Sequence, residues 1–386
     1  MVNLQTADKA LKSLYLGVVT DQLNISCNPL LTKIEQTSSD VWGKEIIKLV
    51  SYGINGGIGA GDEIGALPMA AGNNYAQFKL DLKNLYGSIE ISDKAIRASQ
   101  NNAGAFVNLL NAEMEGLLKA SKYNLGRMLY GDGSGKLCTV TKAESGAVSE
   151  IKVSSTKCLA VGMVIDVLTS THTKRASQVR ILNIVPSTKT IKVDKQVTGL
   201  ETTDYITVQN SKGYELTGLG AIFGTGDLYG LKRADNSWLN PYTKNVGATI
   251  DTTIIQEAID YVDEIAGSEI NFIACAYDVK KAYIANLTAN RMNIDFMNLD
   301  GGFKALTYNG IPVISDKFIE DGEMYLLNTN DFKMHQLCDW RWLEGENGNV
   351  IKQKQGTPTY TATLVKYADI VCDKPCGQAK LTGITG

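Results

Sequence analysis

The chain has no apolar run long enough to cross a membrane, because its longest uninterrupted stretches fall far short of the roughly 18 residues that a membrane helix needs. Its start lacks the basic segment followed by an apolar segment that marks a secretion signal. The seven cysteines are odd in number and widely scattered, so they do not indicate a disulfide framework. Synthesis in a reducing cytosol is therefore expected.

Histidine is almost absent, which removes most of the usual routes to catalysis and metal binding. The two histidines, His172 in "TSTHTK" and His335 in "FKMHQL", lie in no triad or metal-ligand pattern. The carboxylates of Asp260, Asp263 and Glu264 fall on the solvent face of a predicted helix. The sequence therefore predicts neither an enzyme nor a cofactor or metal site.

Arginine and net positive charge are also scarce. Only 7 of the 38 basic residues are arginine, and the formal net charge is -3. Proteins that grip phosphates usually carry a basic stripe and use the bidentate arginine side chain. The composition therefore argues against a protein whose main work is gripping phosphates, and it leaves nucleic acid open as a neighbour.

Glycine is abundant in one stretch, "YGINGGIGAGDEIGALPMAAGNN", residues 52–74. Gly59, Gly61 and Gly65 miss the last spacing of the dinucleotide-binding pattern by one residue, and Pro68 follows where a helix should continue. The stretch shows almost no periodicity. It is predicted to be a long extended loop.

The segment that follows, "FKLDLKNLYGSIEIS", reads as two consecutive strands of a ribbon. Phe78, Leu80 and Leu82 share one face, whereas Leu85 and the isoleucines after it fall on odd numbers, so the phase slips by one residue near Asn84. A bulge or tight bend is expected there.

Helical periodicity marks three further segments. The first twenty residues form a predicted amphipathic helix with Leu11, Leu14 and Val18 on its apolar face. A second helix is predicted over residues 105–130. A third begins at a capping box of Thr253 and Gln256 and ends at Gly267.

Between the last two helices, residues 136–213 consist of short alternating runs separated by turn residues, which predicts a small all-β unit, most simply a barrel. Helices and strands then alternate to about residue 325, with a turn at Asn309 and Gly310 in "NGIPVISD". Near the end, Asn347 and Gly348 lie between alternating runs, which is a strong hairpin signal.

The order of these elements resembles the major capsid protein of tailed bacteriophages, which has the Hong Kong 97 (HK97)-like fold. The elements that carry the likeness are the arm, the glycine-rich loop, the ribbon ending in "IEIS", the long helix ending in "LYGDGSG", the segment "LTGLGAIFGTGDLYG" and "NGIPVISD". The resemblance covers almost the whole chain outside residues 136–213. No single motif is specific to the family, but the ordered set is.

The resemblance implies an α+β, HK97-like capsid fold with an inserted small all-β domain. The expected division is an N-terminal arm (1–49), an E-loop (50–92), a peripheral (P) domain with its spine helix (93–135), the β-rich insertion (136–213), a return to the P domain (214–240), an axial (A) domain (241–325), P-domain strands and hairpin (326–371), and a C-terminal segment returning to the A domain (372–386).

The function implied is mechanical, because copies of such a chain form an icosahedral head around the double-stranded DNA of a tailed phage. The implied partners are further copies in hexamers and pentamers, a separate scaffolding protein, a portal protein, packaged DNA as a non-specific neighbour, and decoration proteins, without a membrane. The subunit is expected in the virion after assembly in the host cytoplasm. An encapsulin-like compartment shell and a surface carbohydrate-binding or adhesion protein are the alternatives.

The expected contacts between subunits follow from the same resemblance. The amphipathic first helix is expected to dock through Leu11, Leu14 and Val18 on the inner side of the shell. The E-loop and the peripheral hairpin are expected to supply the other contacts, through Gly59, Gly61, Phe78, Leu80, Leu82, Glu346, Asn347, Gly348 and Asn349. A separate scaffold is expected because the glycine-rich loop begins by residue 52, which leaves no room for a built-in one.

Overall fold

The computed structural model describes residues 28–94, 103–289, 296–298, 304–344 and 350–385. The described strands form four sheets. The described helices are α1 (Pro29–Lys33), α2 (Ala103–Met128), α3 (Leu219–Ile222), α4 (Thr252–Ala266) and α5 (Tyr277–Ala289), with 3-10 turns at Pro186–Thr188, Ser237–Leu239, Thr329–Asp331 and Pro375–Gly377.

A small three-stranded sheet forms an arm. Its strands, in the order β2-β3-β4, are β2 (Val41–Trp42), β3 (Glu45–Tyr52) and β4 (Asn74–Asp81). The antiparallel hairpin of β3 and β4 keeps one register from Glu45 opposite Asp81 to Tyr52 opposite Asn74. The chain between its strands, residues 53–73, has no regular secondary structure.

A five-stranded sheet is built around the longest strand, β20. Its members are β1 (Glu35–Thr37), β5 (Lys83–Ser92), β18 (Phe332–Trp342), β19 (Lys352–Gln353) and β20 (Thr359–Cys372). β20 pairs with β18 and β19 and, along its other edge, with β5. The long helix α2 packs against β5, where Gly87 leaves room for the Leu117 side chain.

The two strands β4 and β5 do not form one continuous ribbon, which corrects the sequence-based expectation. β4 pairs with β3, whereas β5 pairs with β20, so the two strands belong to different sheets. The phase slip is real but lies at Leu82, between the two strands, and not at Asn84. Side chains on even positions are buried in β4 and those on odd positions are buried in β5 because each strand faces a different core.

Residues 136–208 form a six-stranded sheet in the order β6-β11-β8-β9-β10-β7. A bridge between Val140 and Val153 joins the two ends of this order, so the sheet closes on itself. This unit, called here the barrel, has a hydrophobic cluster of its own. Its strands are β6 (Lys136–Thr139), β7 (Glu144–Lys152), β8 (Val164–Leu168), β9 (Lys174–Val185), β10 (Thr190–Leu200) and β11 (Tyr205–Val208).

The fourth sheet has seven strands in the order β12-β21-β17-β13-β16-β15-β14. They are β12 (Tyr242–Asn245), β13 (Phe272–Cys275), β14 (Phe296–Asn298), β15 (Lys304–Tyr308), β16 (Ile311–Ser315), β17 (Met324–Leu327) and β21 (Ala379–Thr382). The turn between β15 and β16 has left-handed backbone at both Asn309 and Gly310, as these residue types favour. The C-terminal β21 thus returns to this sheet.

The start of helix α4 shows where two local sequence signals compete. Helix α4 begins at Asp251, whose carboxylate accepts the Ile254 N–H at 2.8 Å, and not at the predicted capping box of Thr253 and Gln256. Its end at Gly267, which has left-handed backbone, is as predicted. Asp and Thr are both good N-cap residues, so the sequence alone does not choose between them.

Glycines in residues 216–226 allow the chain to pass directly across the end of α2. The Leu219 N–H donates to the Leu129 carbonyl at 2.8 Å. A Cβ at Gly218 would lie 2.6 Å from that same carbonyl oxygen and 2.7 Å from the Gly131 oxygen. Only glycine fits at this contact between backbones.

Candidate assembly surface

The root of the arm is fixed inside the chain's own core. Ile46 of β3 and Phe78 of β4 are both fully buried, and they pack in one cluster with Leu228, Tyr229, Leu239 and Val371. The Phe78 ring lies 4.8 Å from the Tyr229 ring, measured between centroids. The lower half of the hairpin is therefore a rigid part of the subunit.

The root of the arm packs on residues 221–239, and the buried Arg233 side chain holds this segment together. Arg233 donates hydrogen bonds to the carbonyls of Gly226, Ala221, Ile222 and Leu239, at 2.5 to 2.9 Å. A single planar side chain thus satisfies four carbonyls that have no place in a sheet. The platform under the arm is therefore well defined although it contains little regular structure.

Two polar contacts complete the attachment of the arm. The Lys79 N–H donates to the Tyr229 carbonyl at 3.0 Å. The Lys48 ammonium lies 2.8 Å from the Asp373 carboxylate, and both side chains are partly buried. Where the last hairpin pair forms, the Tyr52 ring stacks on the Trp238 ring with centroids 5.0 Å apart. Fixed contacts therefore extend to the top of the hairpin and stop there.

Beyond this point the arm loop, residues 53–73, is exposed and makes few contacts. The one backbone-to-backbone hydrogen bond within it joins the Gly65 N–H to the Asp62 carbonyl. Its large apolar side chains are nevertheless numerous and among the most exposed in the described chain. They are Ile54 (76% exposed), Ile58 (75%), Ile64 (95%), Leu67 (90%) and Met69 (88%).

Such exposure of apolar side chains has an energetic consequence. Burying one large aliphatic side chain stabilises by about 1.5–3 kcal/mol, so covering all five would release on the order of 10 kcal/mol before the cost of ordering the loop is subtracted. Large exposed apolar side chains concentrated in one segment are typical of a contact site. The arm loop is therefore the candidate assembly surface.

Comparison with solved structures gives this geometry a context. No protein-family model and no curated protein matches the sequence. The structure is similar to a chain of the cyanophage A-1(L) capsid, with a TM-score of 0.55 and 14% identity over 95% of this chain and 93% of that one. The chain has a capsid-like fold. It is also similar to the SrpI encapsulin of Synechococcus elongatus PCC 7942, with a TM-score of 0.50 and 11% identity over 95% of both chains.

The predicted contact residues fall into three groups in this capsid-like fold. Gly59 and Gly61 lie in the exposed arm loop, where the sequence-based prediction placed them. Phe78 and Leu80 are buried in the root of the arm and Leu82 is half-buried there, so these three stabilise their own subunit and leave the set of proposed contacts. The remaining seven lie outside the described residues: Leu11, Leu14, Val18, Glu346, Asn347, Gly348 and Asn349.

Sequence reasoning missed the residues that are most available for contact. The five exposed apolar side chains of the arm loop were passed over because they follow no helical or strand period. A usable signal was present, since apolar residues that recur without a period in a glycine-rich stretch have no core of their own to enter. They must be exposed or be buried by another chain.

Buried charged groups hold the β-rich unit and its connection to the rest. Arg127 at the end of α2 makes a bidentate pair with Glu215, at 2.6 and 2.7 Å. The Asp369 carboxylate of β20 accepts the N–H and hydroxyl of Thr217, at 2.7 and 2.8 Å. Burial raises the pKa of Asp369 to about 6 although these hydrogen bonds oppose the shift. The segment that leaves the barrel is thus tied to both the helix and the sheet.

Within residues 28–94, 103–289, 296–298, 304–344 and 350–385, no three His, Cys, Asp or Glu side chains are placed to hold a metal ion. None of the described helices is long and apolar enough to span a membrane. His335 is fully buried, with Nδ1 2.8 Å from the Ser39 carbonyl, and His172 contacts the Tyr205 hydroxyl at 2.7 Å.

Proposed function

We propose that this protein is the major capsid protein of a tailed bacteriophage, whose copies form the icosahedral head around double-stranded DNA. The observation that carries the proposal is the arm, whose root is fixed in the subunit and whose apolar loop is left uncovered by the same chain. The capsid-like fold supports it.

The assembly proposed is a heterologous one, in which the arm loop of each copy is covered by a different surface of the next copy. Contacts of that kind generate rings where the rotation closes. Hexameric and pentameric rings then combine into a closed shell. The apolar loop gains stability only when a neighbour is present, so the interface is obligate in character.

The finer parts of the proposal concern partners. With a net charge of -3 the chain is not built for tight binding to phosphates, so packaged DNA is a non-specific neighbour. A separate scaffolding protein, a portal protein and decoration proteins complete the particle, which assembles in the bacterial cytoplasm. An HK97-like arrangement of arm, E-loop, P domain, A domain and inserted barrel is the architecture we propose for each subunit.

An encapsulin-like compartment is the second candidate, favoured by the similarity to the SrpI encapsulin. The two candidates differ in what the shell contains. Electron microscopy of purified particles, combined with nuclease treatment and nucleic-acid quantification of their contents, separates them. Shells that protect double-stranded DNA support the phage proposal, shells that enclose a protein support the compartment, and a protein that stays monomeric with every co-expressed candidate scaffold refutes both.

The role of the arm loop is tested by Leu67→Ser combined with Met69→Ser. Both side chains are almost fully exposed in the subunit, so its thermal unfolding should not change. Loss of about 1.5 kcal/mol from each of the two side chains, about 3 kcal/mol in all, raises the concentration needed for assembly about 100-fold. Ala70→Ser and Ala71→Ser, in the same loop, form the matched control and should assemble as the parent chain does. Normal shells from the first variant would show that the loop is not the assembly contact.

A further inference from the structure

Strand β18 contains two residues more than the part of β20 that it faces. Five steps along β18, from Gln336 to Arg341, lie opposite only three steps along β20, from Ala368 to Val365. The register shifts by one residue on each side of Cys338. Such shifts are β-bulges, in which two residues of one strand face one residue of the other. On its other edge β20 pairs with β5 without any shift, so the irregularity belongs to β18.

Lys366 of β20 lies at the centre of this irregular stretch and is fully buried. Asp339 and Trp340 of β18 both lie opposite it. The Lys366 ammonium donates to the Asp339 carboxylate at 2.7 Å and to the Gln336 amide oxygen at 2.8 Å. Gln336 precedes the first shift and Asp339 lies within the second, so one side chain is bonded at both bulges.

The apolar pattern of β18 does not by itself select this register. Met334 before the bulges and Trp340 and Trp342 after them are all buried, and all have even numbers. Without the two bulges, β18 would lie two residues further along β20, so Trp342 would face Ala362 in place of Leu364. Side chains alternate along a strand with a period of two, so a shift by two residues keeps the same side chains in the core.

The ion pair, in contrast, distinguishes the two registers. Without the bulges, Lys366 would lie opposite Cys338, and Asp339 would point to the other face of the sheet because it is the next residue along the strand. The buried ammonium would then have the Gln336 amide as a partner but no carboxylate. A buried charge that loses its partner is strongly destabilising, so the bulge-free register is disfavoured.

We propose that Lys366 selects the bulged register of β18 and thereby positions the segment that follows this strand. In the bulge-free register the end of β18 would lie about 7 Å further along β20, since each strand residue advances about 3.4 Å. Leu343 would then face Thr361, which pairs with Lys352 of β19 in the structure. The segment between β18 and β19 contains the predicted contact residues 346–349, so their position in the subunit depends on this register.

Lys366→Met tests the choice of register in the free subunit. Apolar residues of similar volume often replace a buried ion pair without loss of stability. In the bulge-free register Asp339 turns to the outer face, so the variant need not bury an unpaired carboxylate. We therefore expect the urea midpoint of the subunit not to fall, while the two registers become comparable in population.

Pairs of introduced cysteines report which register is present. Arg341→Cys with Val365→Cys places the two thiols opposite each other in the bulged register, and Arg341→Cys with Thr363→Cys does so in the bulge-free register. Directly opposite side chains come close enough for a disulfide, whereas diagonal ones do not. Mild oxidation followed by peptide mass mapping measures each link. Lys333→Cys with Val371→Cys, paired ahead of both bulges, is the matched control.

In the parent background the first pair should link and the second should not. In the Lys366→Met background the first link should fall by roughly half and the second should appear, because the charge that separated the registers is gone. The control pair should link equally in both backgrounds. A first pair that links as fully in Lys366→Met as in the parent would overturn the inference. Failure of Lys366→Met to fold would overturn it too, because the ammonium would then be needed for stability and not for register.

The consequence for shells rests on the proposed function. If the position of the segment after β18 determines how copies meet, Lys366→Met copies should form fewer closed shells, and electron microscopy should show particles of mixed size. Uniform shells of parental size, formed by a variant whose registers are mixed, would refute the positioning role. Absence of any particles from the parent chain would instead refute the proposed function and leave the register measurement intact.

Discussion

Asp369 makes the stability of this subunit depend on pH in the direction opposite to that usual for acidic groups, and burial raises the pKa values of Asp316, Glu320 and Asp331 as well. Asp369 is fully buried, and burial raises its pKa from 3.8 to about 6 while hydrogen bonds from Thr217 and Ile370 oppose the shift. Because the folded pKa is the higher one, folding favours the protonated acid. This stabilisation is fully present below about pH 3.8 and is lost as the pH rises through about 6.

The size of the effect follows from the two pKa values. Moving the pKa by about two pH units corresponds to about 3 kcal/mol of difference between the folded and unfolded states. Asp369→Asn mimics the protonated acid, since its amide oxygen still accepts from the Thr217 N–H and its amide nitrogen can donate to the Thr217 hydroxyl. The variant should therefore gain up to about 3 kcal/mol over the parent chain between pH 4 and pH 7.

Urea unfolding at pH values from 4 to 8 measures the difference in unfolding free energy between the parent and variant subunits. The other titrating groups are the same in both chains, so their contributions cancel in this difference. Asp166→Asn is the matched control with the opposite sign. Burial of Asp166 acts to raise its pKa, but hydrogen bonds from Asn210, Lys174 and Gln178 outweigh it and leave the pKa lowered. That variant should lose stability relative to the parent as the pH rises. A stability difference for Asp369→Asn that is constant over the whole range would refute the reasoning.

Three further predictions concern the arm and the barrel. Phe78→Ala should destabilise the subunit by about 3–5 kcal/mol in urea unfolding, because the fully buried ring leaves a cavity against Tyr229; Tyr75→Ala, exposed on the same strand, should cost less than about 0.5 kcal/mol. Gly218→Ala should cost more than about 4 kcal/mol, since its methyl group would overlap carbonyls at the end of α2, and a soluble variant of parental stability would contradict this. Removal of residues 137–212 should leave a folded subunit that keeps its main thermal transition, because the barrel has a separate core. The two ends to be joined are already close, since the Gly213 N–H bonds to the Ser134 carbonyl at 2.8 Å. Aggregation of that variant, but not of the parent, would show that the barrel is needed for folding.

Strong periodic segments made much of the fold predictable. The long helix was predicted over residues 105–130 and lies at Ala103–Met128, because its apolar stripe runs without a competing signal. The turn at Asn309 and Gly310 was equally clear, since both residues tolerate the left-handed backbone that the structure shows. Local physics decides such elements, and local sequence therefore reveals them.

Pairing between distant segments was not predictable in the same way. The alternation over residues 78–92 identified two strands correctly, but nothing in it states that β4 pairs with β3 while β5 pairs with the distant strand β20, from Ser92 opposite Thr359 to Lys83 opposite Ala368. Whether Phe78 is a contact between subunits or a core residue depends on Tyr229 and Trp238, which the sequence does not place beside it. Phe78 and Leu80 therefore lie in the subunit's own core, whereas Gly59 and Gly61 in the loop stay predicted contacts.

Glycine shows most clearly why composition alone cannot separate assembly surface from core. In the arm loop, the glycine-rich backbone is exposed, and its one backbone-to-backbone hydrogen bond joins Gly65 to Asp62. At Gly218 the same residue type does the reverse, because the missing side chain lets two backbones meet and locks the end of α2. The distinguishing feature is what accompanies the glycine: exposed Ile64 and Leu67 in the loop, buried Leu216 and Leu219 in the return segment. Apolar residues beside glycine enter the subunit's own core where a helix end offers a surface, and they stay exposed where the same chain offers none.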